Sequence, residues 1–155
     1  MPGYGIVGAD EGHGLLPWSW AEERLVQSHD YWVATVYAGG PHVTPVWGVW
    51  AGGAVWFSSS PQSRKARNIA ADPRVVVTTD DPSQPVMVEG RATTVHDEPA
   101  VEEFTGWVNA KYDADLPVSF FTANACFRVE PHTVFGLDED DFTGTPTRWV
   151  FRPQG

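Results

Sequence analysis

Residues 41–68 read PHVTPVWGVWAGGAVWFSSSPQSRKARN. From His42 to Trp50 the chain is rich in β-branched and aromatic side chains, which suit a pleated, half-buried surface. Gly52-Gly53 supplies the positive φ angles of a tight hairpin, and Ala54–Ser58 returns in the same chemistry. Two antiparallel strands therefore run into a helix whose start carries Ser63, Arg64, Lys65 and Arg67. Pro45 lies inside the first strand. Lacking an N–H, it puts that stretch at an edge, at a bulge, or against something other than a neighbouring strand. Ser60 and Pro61 read as N-cap and N1 of the helix, which ends before Asp72-Pro73.

The same alternation continues outward in both directions. Tyr31–Ala38 (YWVATVYA) is a strand, joined to the next by a turn at Gly39-Gly40. Ahead of it, Ser19 with Glu22 forms a capping box for a short amphipathic helix ending near Ser28, and residues 1–17 form an irregular arm rich in Gly. Arg74–Thr79 and Val86–Val95 are strands separated by the polar DDPSQP. Val101, Phe104, Val108 and Tyr112 recur at three to four, which predicts an amphipathic helix over Glu98–Tyr112. Ala125–Phe135 and Thr147–Phe151 bring the strands to seven. Their connections are too short for crossovers, so the fold class is mainly β, an antiparallel barrel or sandwich in one domain over residues 18–155.

Composition excludes several function classes. Ten Lys+Arg against 20 Asp+Glu give a formal net charge of -10, so a nucleic-acid partner is not expected, because phosphate neutralisation needs a basic surface. The single cysteine, Cys126, can form no internal disulfide, and the start of the chain has neither the basic segment nor the apolar run of a signal peptide. A cytoplasmic protein with no membrane partner is the expectation. No metal is expected either, since His13, His29, His42, His96 and His132 are scattered without ligand spacing. Ser60 and Ser63 lie in no nucleophile elbow. The acidic run Asp138–Asp141 reads as a solvated turn.

Against that acidic background, three of the ten basic residues, Arg64, Lys65 and Arg67, gather at one helix start. Its first N–H groups lack intrahelical partners and carry partial positive charge, which suits a phosphate. The alternative is a solvated first turn whose cations balance nearby acids. Trp47, Trp50 and Trp56 offer walls for a planar ring, but alternate strand residues face opposite sides, so not all three line one cleft. Trp47 is the choice for the cleft.

In order, PHVTPVW, WFSSSPQSRKARN, VMVEG, CFRVEPHTVFG and TRWVF resemble the FMN-binding split-barrel family typified by pyridoxamine 5'-phosphate oxidase, over about Tyr31 to Arg152. YWVATV, TPVWGVW and SRKARN followed by DPRVVVTT are most similar to the branch that uses the deazaflavin coenzyme F420. The resemblance implies a six-stranded antiparallel split β-barrel, a homodimer, and a cofactor in the cleft between protomers. It implies that Ser58, Ser63, Arg64 and Lys65 hold the cofactor phosphate and that Val43, Thr44, Pro45, Val46 and Trp47 lie along the ring. Phe135 and Arg148 would approach from the partner chain. The implied activity is hydride transfer between F420, or alternatively FMN, and a small electrophilic substrate, with His42 as a candidate proton donor. A non-catalytic flavin, deazaflavin or haem-binding module is the remaining alternative, with His42 and His132 as possible axial ligands. This chain departs from the oxidases in having His42 and Trp47 where they carry an Arg and a Lys, and Pro85 where they carry Gln.

Overall fold

The computed structural model describes residues 15–152, so most of the expected arm over residues 1–17 lies outside the described residues. The elements are α1 (Trp18–Gln27), β1 (Asp30–Tyr37), β2 (Gly40–Ala51), β3 (Ala54–Ser59), α2 (Arg64–Ala71), β4 (Arg74–Thr79), β5 (Val86–Val95), α3 (Glu98–Tyr112), α4 (Val118–Thr122), β6 (Ala125–Gly136) and β7 (Thr147–Val150). The strands are ordered β3-β2-β1-β4-β5-β6-β7, and β3 also pairs with β6. This closes a six-stranded antiparallel barrel, with β7 added on the outside of β6.

Two hydrophobic layers follow from strand alternation. Tyr31, Val33, Val46, Val55, Phe57, Val77, Val88, Val129 and Val134 point inward and fill the barrel, whose ends take Ala21 and Leu25 from α1 and Ala66 and Ile69 from α2. On the outer face of β2, β3 and β6, Val49, Trp56 and Cys126 pack beneath Val101, Phe104 and Val108 of α3 and Phe121 of α4. Burial of these side chains stabilises each layer by roughly 1.5–3 kcal/mol per large residue.

The barrel is open at one point. The β2–β3 ladder joins Gly48–Ala51 to Ala54–Phe57 and stops there. Beyond it, β2 continues through Trp47 to Gly40 against β1 alone, while Ser58 and Ser59 stay paired with Cys126 and Ala125 of β6. The two strands fork at Trp47 and Ser58. Pro45 and Pro41 both lie on the stretch whose other edge is free, so the edge reading of Pro45 is the one the fold adopts. A proline nitrogen facing that edge costs no ladder bond.

Several local expectations need correction. Helix α1 starts at Trp18 with extended Pro17 before it and no side-chain cap, so Ser19 is already helical and cannot close a capping box. The cap of α2 is Ser63, whose hydroxyl accepts from the Ala66 N–H. Ser60 instead accepts from the Gln62 N–H, and the chain bends once more before turning helical. The first hairpin turns at Ala38-Gly39, one residue early, because Gly40 already pairs with Tyr37. The second turns at Gly52-Gly53, with φ of 57° and 72°, the pair of positive values that a two-residue hairpin requires.

Candidate functional site

The fork opens into a cavity of about 360 Å³. Trp47 and the strand end Ser58–Ser60 form one side, and α3 with the α3–α4 connection forms the other. Beside it, on the barrel side of β3, lies the start of α2. Capping by Ser63 makes Arg64 and Lys65 the first two helical residues. The first intrahelical bond comes from Arg67 N–H to Ser63 O, so the Arg64 and Lys65 N–H groups have no partner within the helix. Lys65 Nζ lies 3.0 Å from Ser59 Oγ, which is itself 2.9 Å from Ser63 Oγ. Arg64 lies over the Tyr37 ring, 5.0 Å from its centroid.

None of the ion pairs among the described residues includes Arg64, Lys65 or Arg67. The reading in which this helix start balances nearby acids therefore has no counter-charge to support it. Half-burial pushes the Lys65 ammonium below its usual range, as expected for a cation without an anion. Two polar atoms on the free stretch of β2, His42 Nδ1 and Thr44 Oγ1, are buried without a hydrogen-bond partner among the described residues. Cations without an ion-pair partner among the described residues, hydroxyls and open N–H groups together fit a phosphate-bearing ligand.

The candidate residues divide between surfaces. Ser58 and Ser59 face opposite sides of β3, and Ser59, absent from the sequence-derived set, is the one joined to Ser63 and Lys65. Strand parity separates His42 and Thr44 from Val43, Pro45 and Trp47 in the same way. His42 pairs with buried Thr35 on the barrel side and does not line the cavity with Trp47. Trp50 packs on the barrel layer and Trp56 on the α3 layer, leaving Trp47 as the cavity tryptophan. Phe135 and Arg148 face one another across β6 and β7, on a cross-strand row that also holds Met87, Thr78, Trp32 and Pro45. Phe135 is four strands from Pro45 by way of β5, β4 and β1, and β6 is two strands from β2 by way of the β3–β6 pairing that closes the barrel.

Trp47 is held in place by a polar strut that the sequence did not reveal. Its indole stacks on Tyr112 with centroids 4.2 Å apart and planes 3° from parallel. Tyr112 Oη donates to His29 O and accepts from the Gly48 N–H at 2.9 Å. Lys111 Nζ donates to Ser28 O at 2.6 Å and Gly48 O at 2.7 Å. Burial holds the Lys111 ammonium down at about 8, against the opposing pull of Asp30 and Asp80. Burial also pushes the Tyr112 hydroxyl up to about 12. These contacts lock the end of α3 to the start of β1 and to β2.

Elsewhere, the carboxylates of the acidic run serve their own loop: Asp138 accepts from the Asp140 N–H and from Gln84, and Asp141 accepts from the Gly144 N–H. Among the described residues, no three His, Cys, Asp or Glu side chains gather as a metal-binding group. No helix among them is long and apolar enough to cross a membrane.

A family model described as Pyridoxamine 5'-phosphate oxidase matches residues 21–138. Among solved structures, an F420 reductase is 28% identical, with a TM-score of 0.60, covering 73% of this chain and 94% of its own. A conserved hypothetical protein from Mycobacterium tuberculosis covers 100% of this chain and 99% of its own at 21% identity and TM-score 0.71. An FAD-binding protein from Mesorhizobium loti covers 77% and 92% at 20% identity and TM-score 0.65. The last two likenesses concern the fold alone. No curated protein matches the chain significantly.

Proposed function

Given that the chain belongs to the pyridoxamine 5'-phosphate oxidase family, we propose that it is an oxidoreductase that uses the deazaflavin coenzyme F420 and works as a homodimer. The observation that carries the coenzyme reading is the uncompensated cluster of Ser59, Ser63, Arg64 and Lys65 beside the fork. The preference for F420 over FMN draws on the 28% identical F420 reductase and on the YWVATV, TPVWGVW and SRKARN segments.

When bound, such a coenzyme supplies a hydride from its reduced ring. The chain supplies placement. Lys65, Arg64, Ser63 and Ser59 would take the phosphate, with the two open N–H groups of α2 beneath it. The free edge of β2 from Val43 to Trp47 would run along the ring, with Thr44 Oγ1 as an unspent polar group. Trp47, fixed against Tyr112, forms a stiff wall on the cavity side. Among the described residues, the side chains lining the cavity include no acid, base or histidine, so this chain's cavity wall offers no proton donor.

The proposed dimer draws on the family resemblance and on the exposed apolar face that carries Trp32, Val36 and Val43. In it, Phe135 and Arg148 of one chain would approach Val43–Trp47 of the other. A titration of F420 against FMN, followed by reduction assays with whichever binds, tests the assignment. F420 is expected to bind more tightly, and Arg64→Ala with Lys65→Ala to weaken it by about 100-fold, each lost charge-assisted contact being worth roughly 1.5 kcal/mol or more. Tighter retention of FMN favours a flavin enzyme of the same fold. Cofactor reduction without turnover of any acceptor points to a carrier. Unchanged affinity in the double variant overturns the phosphate assignment.

A further inference from the structure

Where β2 passes from one neighbour to the other, two side chains of α3 stand in for a strand. The β1–β2 register ends with Asp30 against Trp47, and the β2–β3 ladder begins with Gly48 against Phe57. One step beyond Asp30, the place opposite Gly48 would fall to His29, which does not pair. Tyr112 Oη fills the gap, donating to His29 O and accepting from the Gly48 N–H at 2.9 Å. Lys111 Nζ bridges Ser28 O at 2.6 Å and Gly48 O at 2.7 Å. Both main-chain groups of buried Gly48, which need partners, are thus satisfied by a helix end.

We infer that Tyr112 and Lys111 are positioning residues: wedged between β1 and β2, they set how far the free stretch of β2 opens from β3, and so how well the coenzyme fits. This role presumes the coenzyme reading proposed above. Neither residue lines the cavity, and their hydrogen bonds run to main-chain atoms, so they act through β2. Gly48 is the pivot. It brings no side chain to fix the inclination of the strand, and none fits there, because a Cβ would lie 2.8 Å from Trp56 O and 3.0 Å from Tyr31 Cδ2. From Gly40 to Trp47, β2 pairs with β1 alone, which leaves its opening from β3 to be decided at the wedge. The two halves of the proposed coenzyme site stand on the two prongs, Val43–Trp47 on β2 and Ser59, Ser63 and Lys65 on β3 and α2. Such groups work only when held within about 0.5 Å of their productive geometry. Two ring contacts stiffen the wedge. Tyr112 stacks on Trp47 with centroids 4.2 Å apart, and Lys111 Nζ lies over the buried Tyr31 ring, 4.7 Å from its centroid, an attraction strengthened by desolvation.

The test pairs a coenzyme titration, with whichever of F420 and FMN binds, with fluorine NMR of protein carrying 5-fluorotryptophan. The Trp47 line is assigned by its absence from Trp47→Phe. Tyr112→Phe keeps the stacked ring and loses both hydroxyl bonds, and Lys111→Met keeps the stem and loses both donors. Each should raise the coenzyme Kd by about tenfold. In Lys111→Met the Trp47 line should also move, although Lys111 makes no contact with the indole on which the line reports. Val101→Ala supplies the comparison: it opens a void under the same helix, remote from the wedge, and should lower the urea midpoint while leaving Kd within about twofold. Unchanged affinity in both wedge variants, an unmoved Trp47 line in Lys111→Met, or an equal loss of affinity in Val101→Ala overturns the inference. If wild type binds neither coenzyme, the coenzyme reading falls by itself. The Trp47 line then decides alone, a shift in Lys111→Met upholding the wedge as what places β2 and a fixed line rejecting it.

Discussion

Gly90 shows how a single atom constrains this barrel. It sits where the β5–β6 register shifts, and a Cβ built there would fall 2.2 Å from Glu130 O and 2.9 Å from Val129 Cγ1. The nearer contact is backbone within a ladder and cannot swing aside. Gly90→Ala should destabilise the fold by about 1–3 kcal/mol, as overpacking does, read as a lower urea midpoint with unchanged slope. His42 carries the opposite expectation. Its side chain faces the barrel side of β2, away from the Trp47 wall, so His42→Gln should leave kcat within about threefold, well under the roughly 100-fold that a general acid contributes. A larger loss in the acceptor-reduction assay would restore it as the proton donor. At this scale the sequence revealed the chemistry better than the geometry. SSSPQSRK identifies a hydroxyl and cation cluster, but which serine faces Lys65 depends on hairpin register, and that parity selects Ser59.

Helix α3 was legible from end to end: its three-to-four periodicity predicts Glu98–Tyr112, the span observed. What its last turn does was not, because Lys111 and Tyr112 find their partners 63 to 83 positions away. Helix α4 escaped notice for a different reason, since five residues reading VSFFT show no period and resemble a strand. The Lys111 strut has a measurable pH signature. In the unfolded chain the ammonium holds its proton to 10.5, whereas in the fold it releases it near 8. Between those values the unfolded state binds more protons, so the Lys111 contribution to stability grows as pH rises and is lost as pH falls through about 8. Tyr112, raised from 10.0 to about 12, adds stability that is present below pH 10 and lost above it, which makes pH 8 to 10 the useful window. Urea midpoints at pH 7.5 and 9.5 should therefore rise more, or fall less, in wild type than in Lys111→Met. Parallel pH dependence in the two proteins would show that Lys111 keeps an ordinary affinity for its proton.

For the whole molecule, the outer face of the sheet is where the proposed dimer is tested. Trp32 is 44% exposed, Val36 47%, Val43 54% and Val150 63%. Register places Pro41, Val43 and Pro45 of β2 directly against Val36, Ala34 and Trp32 of β1, so these are neighbours in one apolar surface. A contiguous patch of this kind marks an interaction site, and the two prolines remove N–H donors from the free strand edge, discouraging open-ended strand addition. The proposed two-fold pairing would cover the patch and carry Phe135 and Arg148 of one copy toward the β2 edge of the other. Trp32 touches neither the cation cluster nor the cavity, so Trp32→Glu separates assembly from local chemistry. Sedimentation should show a dimer for wild type and a monomer for the variant. Coenzyme affinity should fall by about tenfold or more in the variant, although Ser59, Ser63, Arg64 and Lys65 are untouched. A monomeric variant that binds coenzyme as tightly as wild type would mean that one chain holds the whole site, and that Phe135 and Arg148 have no part in it.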